Sequence, residues 1–371
     1  MPLCETIIQR IHNDGPVSFH DFMEMCLYHP ESGYYTSYRD KIGGKGDFYT
    51  TSTITSVLGA MIGRELEEMW NITGGREFTI VEYGAGTGML CRDILDYLEN
   101  NPEFYDQLRY CIIEKSPAMR QMEKKILNEK VTWIDSVYDI APFTGCVLSN
   151  ELVDNFSVHQ VVMEDELMEV FVDHKDGFVE LLKPAGKKLA DYLEELNIVL
   201  PKGFHTEINI EATEWIKEIA ECLEKGFVIT IDYGYSSSEL YSDRRRGGNL
   251  LCYHKHTIND QPYINVGEQD ITAHINFSAL SHWGSKHGLD TCGLINQACF
   301  LVGLGYEDYL SRLLSQKQDK YIAFKQYAFL KHALLVDMGQ KYKVLIQSKG
   351  IRHKKLKCFE QHRQTFPFAV M

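Results

Sequence analysis

The residues best placed to do chemistry begin with Val81-Glu82-Tyr83-Gly84-Ala85-Gly86-Thr87-Gly88. The apolar run Phe78–Glu82 leading into it reads as a strand, and Leu90, Ile94, Leu95 and Leu98 after it mark one face of a helix. Glycines let the backbone turn tightly against a ligand, and the helix N-terminus offers free N–H groups. Such turns hold several kinds of nucleotide, so the neighbours must decide which. The dinucleotide spacing G-x-G-x-x-G/A fails here. Counted from Gly84 its last position is Met89, and counted from Gly86 it is Cys91. Moreover, the acid Glu82 closes the strand two residues before the first glycine. A carboxylate repels a pyrophosphate but attracts a cation, so the loop fits the cationic methionyl end of S-adenosyl-L-methionine.

Two more acids close successive strands. Glu114 ends Tyr110–Glu114, thirty residues after Gly84, and an ionised carboxylate can accept both ribose hydroxyls. Asp135 and Ser136 end Val131–Asp135, placed to meet an adenine amino group. Three acids on the edge where such sheets bind ligands converge on one cofactor. The fourth strand, Cys146–Ser149, runs into Asn150-Glu151-Leu152-Val153-Asp154-Asn155. Asn150 joins the cofactor set. Glu151 and Asp154 lie three apart, so a helical turn aims both the same way. Paired carboxylates suit the planar donor fork of a guanidinium; the alternative is that Glu151 or Asp154 only caps a helix. His254 and His256 flank Lys255 with no carboxylate or cysteine at ligand spacing beside them, so no metal is expected. No Gly-x-Ser-x-Gly elbow is present.

These positions demand a scaffold. Short apolar runs alternating with helical patterns from residue 76 onward predict a parallel sheet with crossover helices. A fifth strand is read at Phe227–Asp232, with further strands at Leu289–Leu294 and Tyr342–Gln347. The helix opened by Ser116-Pro117 is expected to bury Met119, Met122 and Ile126. Residues 158–182 break the rhythm, and Val158–Met163, Glu169–Val172 and Phe178–Leu181 suggest an inserted antiparallel ribbon. The chain is thus divided into a helical and loop-rich segment at 1–75 and a core at 76–157 and 226–348. The core carries a lid at 236–287, the ribbon and its helices fill 158–225, and a basic tail takes 349–371. At 371 residues, 44% hydrophobic and 24% charged, the composition is that of an ordinary globular chain. The net charge of -14 argues against a nucleic-acid surface. The basic runs Arg244-Arg245-Arg246 and Lys349 to Lys357 read as solvated loop and tail. No apolar run of about 20 residues could insert in a membrane. Ten cysteines without a C-x-x-C pair, and an N-terminus with no signal core or transit segment, point to the cytoplasm.

Up to about residue 347 the chain resembles the MidA-like methyltransferases, a family related to the mitochondrial complex I assembly factor that methylates arginine. The likeness rests on Leu27-Tyr28-His29-Pro30, Gly33-Tyr34-Tyr35, Gly46-Asp47-Phe48-Tyr49-Thr50 and the glycine loop. It continues in Glu114-x-Ser116-Pro117, Asn150-Glu151-x-x-Asp154, Ile231-Asp232-Tyr233-Gly234 and Asp270-Ile271-Thr272-Ala273-His274. The resemblance implies a Rossmann-like, seven-stranded α/β fold of class I. It implies methyl transfer to a protein side chain, foremost an arginine nitrogen, with a respiratory-complex subunit among the candidate partners. Asp47 and His274 then join Glu151 and Asp154 as catalytic candidates. Thr50-Thr51-Ser52-Thr53 lacks an acid common in the family, Asn249 to His256 lacks an arginine, and Asn276 replaces an acid. These departures leave open a non-catalytic assembly partner that keeps the cofactor site.

Overall fold

A computed structural model describes residues 2–37, 54–315, 319–352 and 355–360. Seven strands build the central sheet: β1 (Phe78–Tyr83), β2 (Leu108–Ile113), β3 (Val131–Ile134), β4 (Phe143–Asn150), β5 (Leu223–Tyr235), β6 (Asp290–Asn296) and β7 (Tyr342–Lys349). Their order is β6-β7-β5-β4-β1-β2-β3, and a two-residue strand, Ile275–Asn276, pairs beside the end of β5. β1 to β5 run parallel, and β7 enters antiparallel between β5 and β6. This is the expected α/β class.

The strands are apolar on both faces because helices cover both. Five of the helices carry the argument below: α1 (Leu3–Asp14), α2 (Phe19–Tyr28), α3 (Val57–Thr73), α4 (Met89–Leu98) and α5 (Pro117–Ile126). Two later ones matter as well, α6 (Ile210–Cys222) and α7 (Phe277–Lys286). On one face α3 and α4 pack Leu58, Ile62, Leu66, Ile94 and Leu98 against Ile80, Cys146 and Phe227. On the other, α6 and α7 place Trp215, Ile219, Phe277 and Leu280 against Val81, Val147 and Val228. β1 lies between β2 and β4, so the strand order reverses there and opens a crevice at the carboxyl ends.

A second sheet joins Val17–Ser18, Leu167–His174, His159–Met163, Phe204–Ile208 and Phe178–Pro184. The ribbon is therefore larger than its sequence pattern suggests. α1 and α2 bury Ile7, Phe19, Phe22 and Leu27 against Val162, Val170 and Val172 of that sheet, and against Val158, Ile271 and Ala273. The segment 1–75 thus splits: α1 and α2 belong with the ribbon, and α3 belongs with the central sheet. The lid carries a three-stranded sheet of Leu250–His254, Thr257–Asn259 and Asp270–Ala273, while α7 packs on the core.

Three local expectations are corrected. In α5 Met119 is buried, but Met122 and Ile126 are exposed, because the helix turns Ala118, Met119 and Glu123 inward instead. The basic tail is not all solvated. Leu356 and Cys358 are fully buried in the main core, because Cys358 and Phe359 fill space that Gly303 and Gly293 leave open. Within the arginine run, Arg245 stacks 3.6 Å over the Tyr235 ring and bonds to Asn249 at 2.7 Å, so only Arg244 and Arg246 are solvated.

Candidate active site

The crevice opens into a cavity of about 1420 Å³ walled by the ends of β1, β2, β4 and β5, by α2 and α6, and by the lid. Glu82, Gly84, Gly86, Glu114, Asp135, Ser136, Asn150, Glu151, Asp154 and His274 all line it. Gly88 does not. It sits at φ 75 as the cap of α4, where a Cβ would lie 3.3 Å from Leu127 and 3.4 Å from Glu123. Its role is the turn itself. Asp47 and Thr50-Thr51-Ser52-Thr53 lie outside the described residues.

At the cofactor end, Glu82 is 2% exposed and accepts a bond from the Tyr110 hydroxyl at 2.8 Å. Burial pushes its carboxyl up to about 7, against the lowering effect of that bond. No cation pairs with Glu82 among the described residues, so a cationic ligand would restore its charged form. Gly84 stands at φ 66, and a Cβ there would come within 2.7 Å of Leu152 Cδ1. The Ser116 N–H donates to Glu114 at 2.7 Å, and Glu114 lines the cavity. Burial raises the Glu114 proton affinity despite the Ser116 and Gly86 N–H groups. Asp135 meets Arg120 at 2.9 Å while 88% exposed, and Ser136 caps the turn that follows it. A buried acid without a countercharge beside a crowded glycine turn fits a cationic nucleoside cofactor.

The other end is acidic and walled with tyrosine. Glu151 holds φ 53, rare for a side chain this bulky, and accepts a bond from Tyr342 at 2.7 Å and one from Asn150 at 3.3 Å. Asp154 rides on a one-turn helix, Val153–Asn155, and is 3% exposed. Its Oδ1 has no hydrogen-bond partner among the described residues. Burial raises its proton affinity against the Tyr233 hydroxyl that bonds to it. Tyr35 donates to Asp270 at 2.8 Å, and the Tyr28 and Tyr35 rings stack 5.7 Å apart. His274 stands edge-on to Tyr233 and Tyr235 at 5.3 and 5.2 Å. Burial, then Arg245 and Lys343, push its imidazole down to about 4, so it is neutral at physiological pH. Among the described residues no three His, Cys, Asp or Glu side chains gather as metal ligands.

A family profile for S-adenosyl-L-methionine-dependent methyltransferases, Methyltransf_28, matches residues 61–295. The chain belongs to that methyltransferase family. The human mitochondrial protein arginine methyltransferase NDUFAF7 is 25% identical over 99% of this chain and 88% of its own length. Its Drosophila melanogaster homologue is 25% identical over 94% of this chain and 85% of its own. A crystal structure from Burkholderia thailandensis, bound to S-adenosyl-homocysteine, superposes with a TM-score of 0.87 at 28% identity, covering 97% of this chain and 94% of that one. The methyltransferase uses S-adenosyl-L-methionine.

Sequence reasoning missed several residues of the methyltransferase's cavity. Tyr28, Tyr35, Tyr233, Tyr342 and Asp270 line it; Tyr28, Tyr35, Tyr233 and Asp270 fall in motifs that carry the family resemblance, yet none of the residues stands at a spacing that by itself signals chemistry. They come together only because β5, β7, the N-terminal segment and the lid meet there. Asn276, flagged as a lost acid, lies outside the cavity wall. It caps α7 at 3.1 Å and bonds to the Tyr192 and Ser237 hydroxyls.

Proposed function

We propose that the protein transfers a methyl group from S-adenosyl-L-methionine to a protein side chain, an arginine guanidinium nitrogen. The observation that carries this reading is Asp154, a carboxylate buried in a tyrosine-walled cavity with an unpartnered oxygen, three residues from Glu151. Such a wall favours a planar cation with several donors over a neutral acceptor. When bound, the cofactor supplies an electrophilic methyl on a sulfonium. Glu82 and Glu114 hold it, with Asp135, Ser136 and Asn150 toward the adenine and the methionyl side. Glu151 and Asp154 orient the guanidinium, and a carboxylate takes up the proton that its nitrogen loses. His274, neutral and edge-on to two tyrosines, closes the wall, and Asp47 is the further candidate that the family resemblance supplies.

The names of the NDUFAF7 relatives support the arginine assignment. The family resemblance also makes a respiratory-complex subunit a reasonable partner. All ten cysteines are free thiols, which fits a reducing compartment; the cytoplasm is our proposal, and the NDUFAF7 relatives are named as mitochondrial. No helix among the described residues is long and apolar enough to cross a membrane. The deciding experiment incubates the full chain with labelled S-adenosyl-L-methionine and a matching cell lysate, then identifies the labelled residue. Label on arginine supports the reading. Label on another residue overturns it, and cofactor binding without any label favours a non-catalytic assembly partner.

A further inference from the structure

The turn that carries Glu151 and Asp154 is short and unusual, and it does not hold itself. Glu151 sits at φ 53, a left-handed conformation that costs any residue with a Cβ, and only three residues of the turn are helical. Its anchors come from two distant strands. The Glu151 N–H donates to the Ile231 carbonyl at 2.9 Å. Asp232, on β5 and fully buried, accepts the Val153 N–H at 3.0 Å and the Asp154 N–H at 3.3 Å on one oxygen. Its other oxygen accepts the Tyr233 N–H at 2.8 Å. From β7, Tyr342 donates to the Glu151 carboxylate at 2.7 Å. Asp232 is fully buried and is not among the residues that line the cavity.

We propose that Asp232 is a positioning residue for methyl transfer: by accepting the Val153 and Asp154 backbone N–H groups it fixes the Glu151–Asn155 turn so that Glu151 and Asp154 face the acceptor, with Tyr342 holding the Glu151 side chain. The proposal rests on the reading that these two acids hold the methyl acceptor. A carboxylate is the group for this place because both its oxygens accept. An asparagine would turn an NH₂ toward one of the N–H donors, leaving a buried polar clash. The site is a costly one for an acid. Burial and the Asp154 charge both raise the proton affinity of Asp232, and a buried acid of that kind is weak evidence for stability alone.

A second consequence is electrostatic. Asp154 faces Asp232 and Tyr233 from β5, Tyr342 from β7, Tyr28 and Tyr35 from the N-terminal segment, and Tyr253 from the lid. None of these is a cation, so the two aspartates repel and together keep a proton to higher pH than either would alone. The Asp154 charge adds to burial in raising Asp232, whereas burial raises Asp154 itself.

The test uses the full-length protein with Asp232→Asn and Tyr342→Phe. Four quantities are measured: affinity for S-adenosylhomocysteine, thermal midpoint, tritiated methyl transfer into lysate protein as a function of pH, and the infrared carboxyl bands of ¹³C-aspartate-labelled protein. Asp232→Asn is expected to keep S-adenosylhomocysteine affinity within about twofold and to lower transfer by about 10- to 100-fold. A protonated-aspartate band of the wild type is lost, and the acid limb of its pH profile stays where the burial of Asp154 sets it. Tyr342→Phe lowers transfer by about tenfold with the acid limb unmoved. A purely structural Asp232 would lower the thermal midpoint, cofactor affinity and transfer together, and that result overturns the proposal. If Asp232→Asn does not fold, full transfer by Tyr342→Phe overturns it instead. Wild-type label on a residue other than arginine defeats the substrate reading and leaves this comparison intact.

Discussion

Glu65 offers a sharp test of how the C-terminal segment is held. It lies on the inner face of α3, fully buried, and its nearest polar contact is the Cys358 thiol at 3.3 Å. Its second oxygen has no hydrogen-bond partner among the described residues. Burial, with Glu68 adding to it, lifts the carboxyl from its ordinary 4.5 to about 8. The fold therefore keeps Glu65 neutral while the unfolded chain ionises it above about pH 4.5. Stability is undiminished below the unfolded value, falls as pH rises toward about 8, and levels off once the folded carboxyl is also charged. At about 1.4 kcal/mol per tenfold in proton affinity, the loss by pH 9 is about 3–5 kcal/mol. Glu65→Gln keeps the shape and the thiol contact but cannot ionise. Urea unfolding followed by tryptophan fluorescence at pH 5, 7 and 9 is expected to show the variant gaining on the wild type as pH rises. A difference between the two proteins that stays constant across that range would refute the argument.

Three further outcomes follow from the cavity. Gly86→Val, at φ 58, is expected to abolish S-adenosylhomocysteine binding in titration calorimetry, and neither protein should bind NAD. Glu151→Gln should keep that affinity while lowering methyl transfer by about 10²–10⁴, with Asp154→Asn showing a smaller loss. Should Glu151→Gln instead abolish cofactor binding, Glu151 belongs to the cofactor end. Transfer should survive chelators, and stoichiometric metal in elemental analysis together with chelator-sensitive activity would contradict this.

The cofactor end was legible because its chemistry is local. The acid, the glycines and the helix start lie in one stretch, and the acids that close β2 and β3 recur at strand ends that apolar runs reveal. The acceptor end was legible only in Glu151, Asp154 and His274. Its tyrosines, Asp270 and Asp232 gain meaning from strands far apart in the chain, and no periodicity encodes that meeting. Strand Phe204–Ile208 escaped because His205 and Glu207 interrupt its apolar residues, and Val17–Ser18 because two residues carry no period. Met122 and Ile126 misled because a buried Glu123, bonded to the Trp133 indole at 2.7 Å, takes the inward place that an apolar residue would normally claim. Leu356 and Cys358 were hidden among lysines, whose charge masked two short apolar anchors.

The pairing of α1 and α2 with the ribbon sets an order of events during synthesis. Phe19, Phe22, Met23 and Leu27 leave the ribosome well before the surface that covers them is completed by Ile271 and Ala273. At about 5–20 residues per second that surface arrives roughly 12 to 50 seconds later. Throughout that interval an aromatic, amphipathic pair of helices waits without its partner while the sheet that binds the cofactor is still being made. The nascent chain is therefore a natural client for a holding chaperone, and its acceptor side is assembled after the cofactor loop has already emerged.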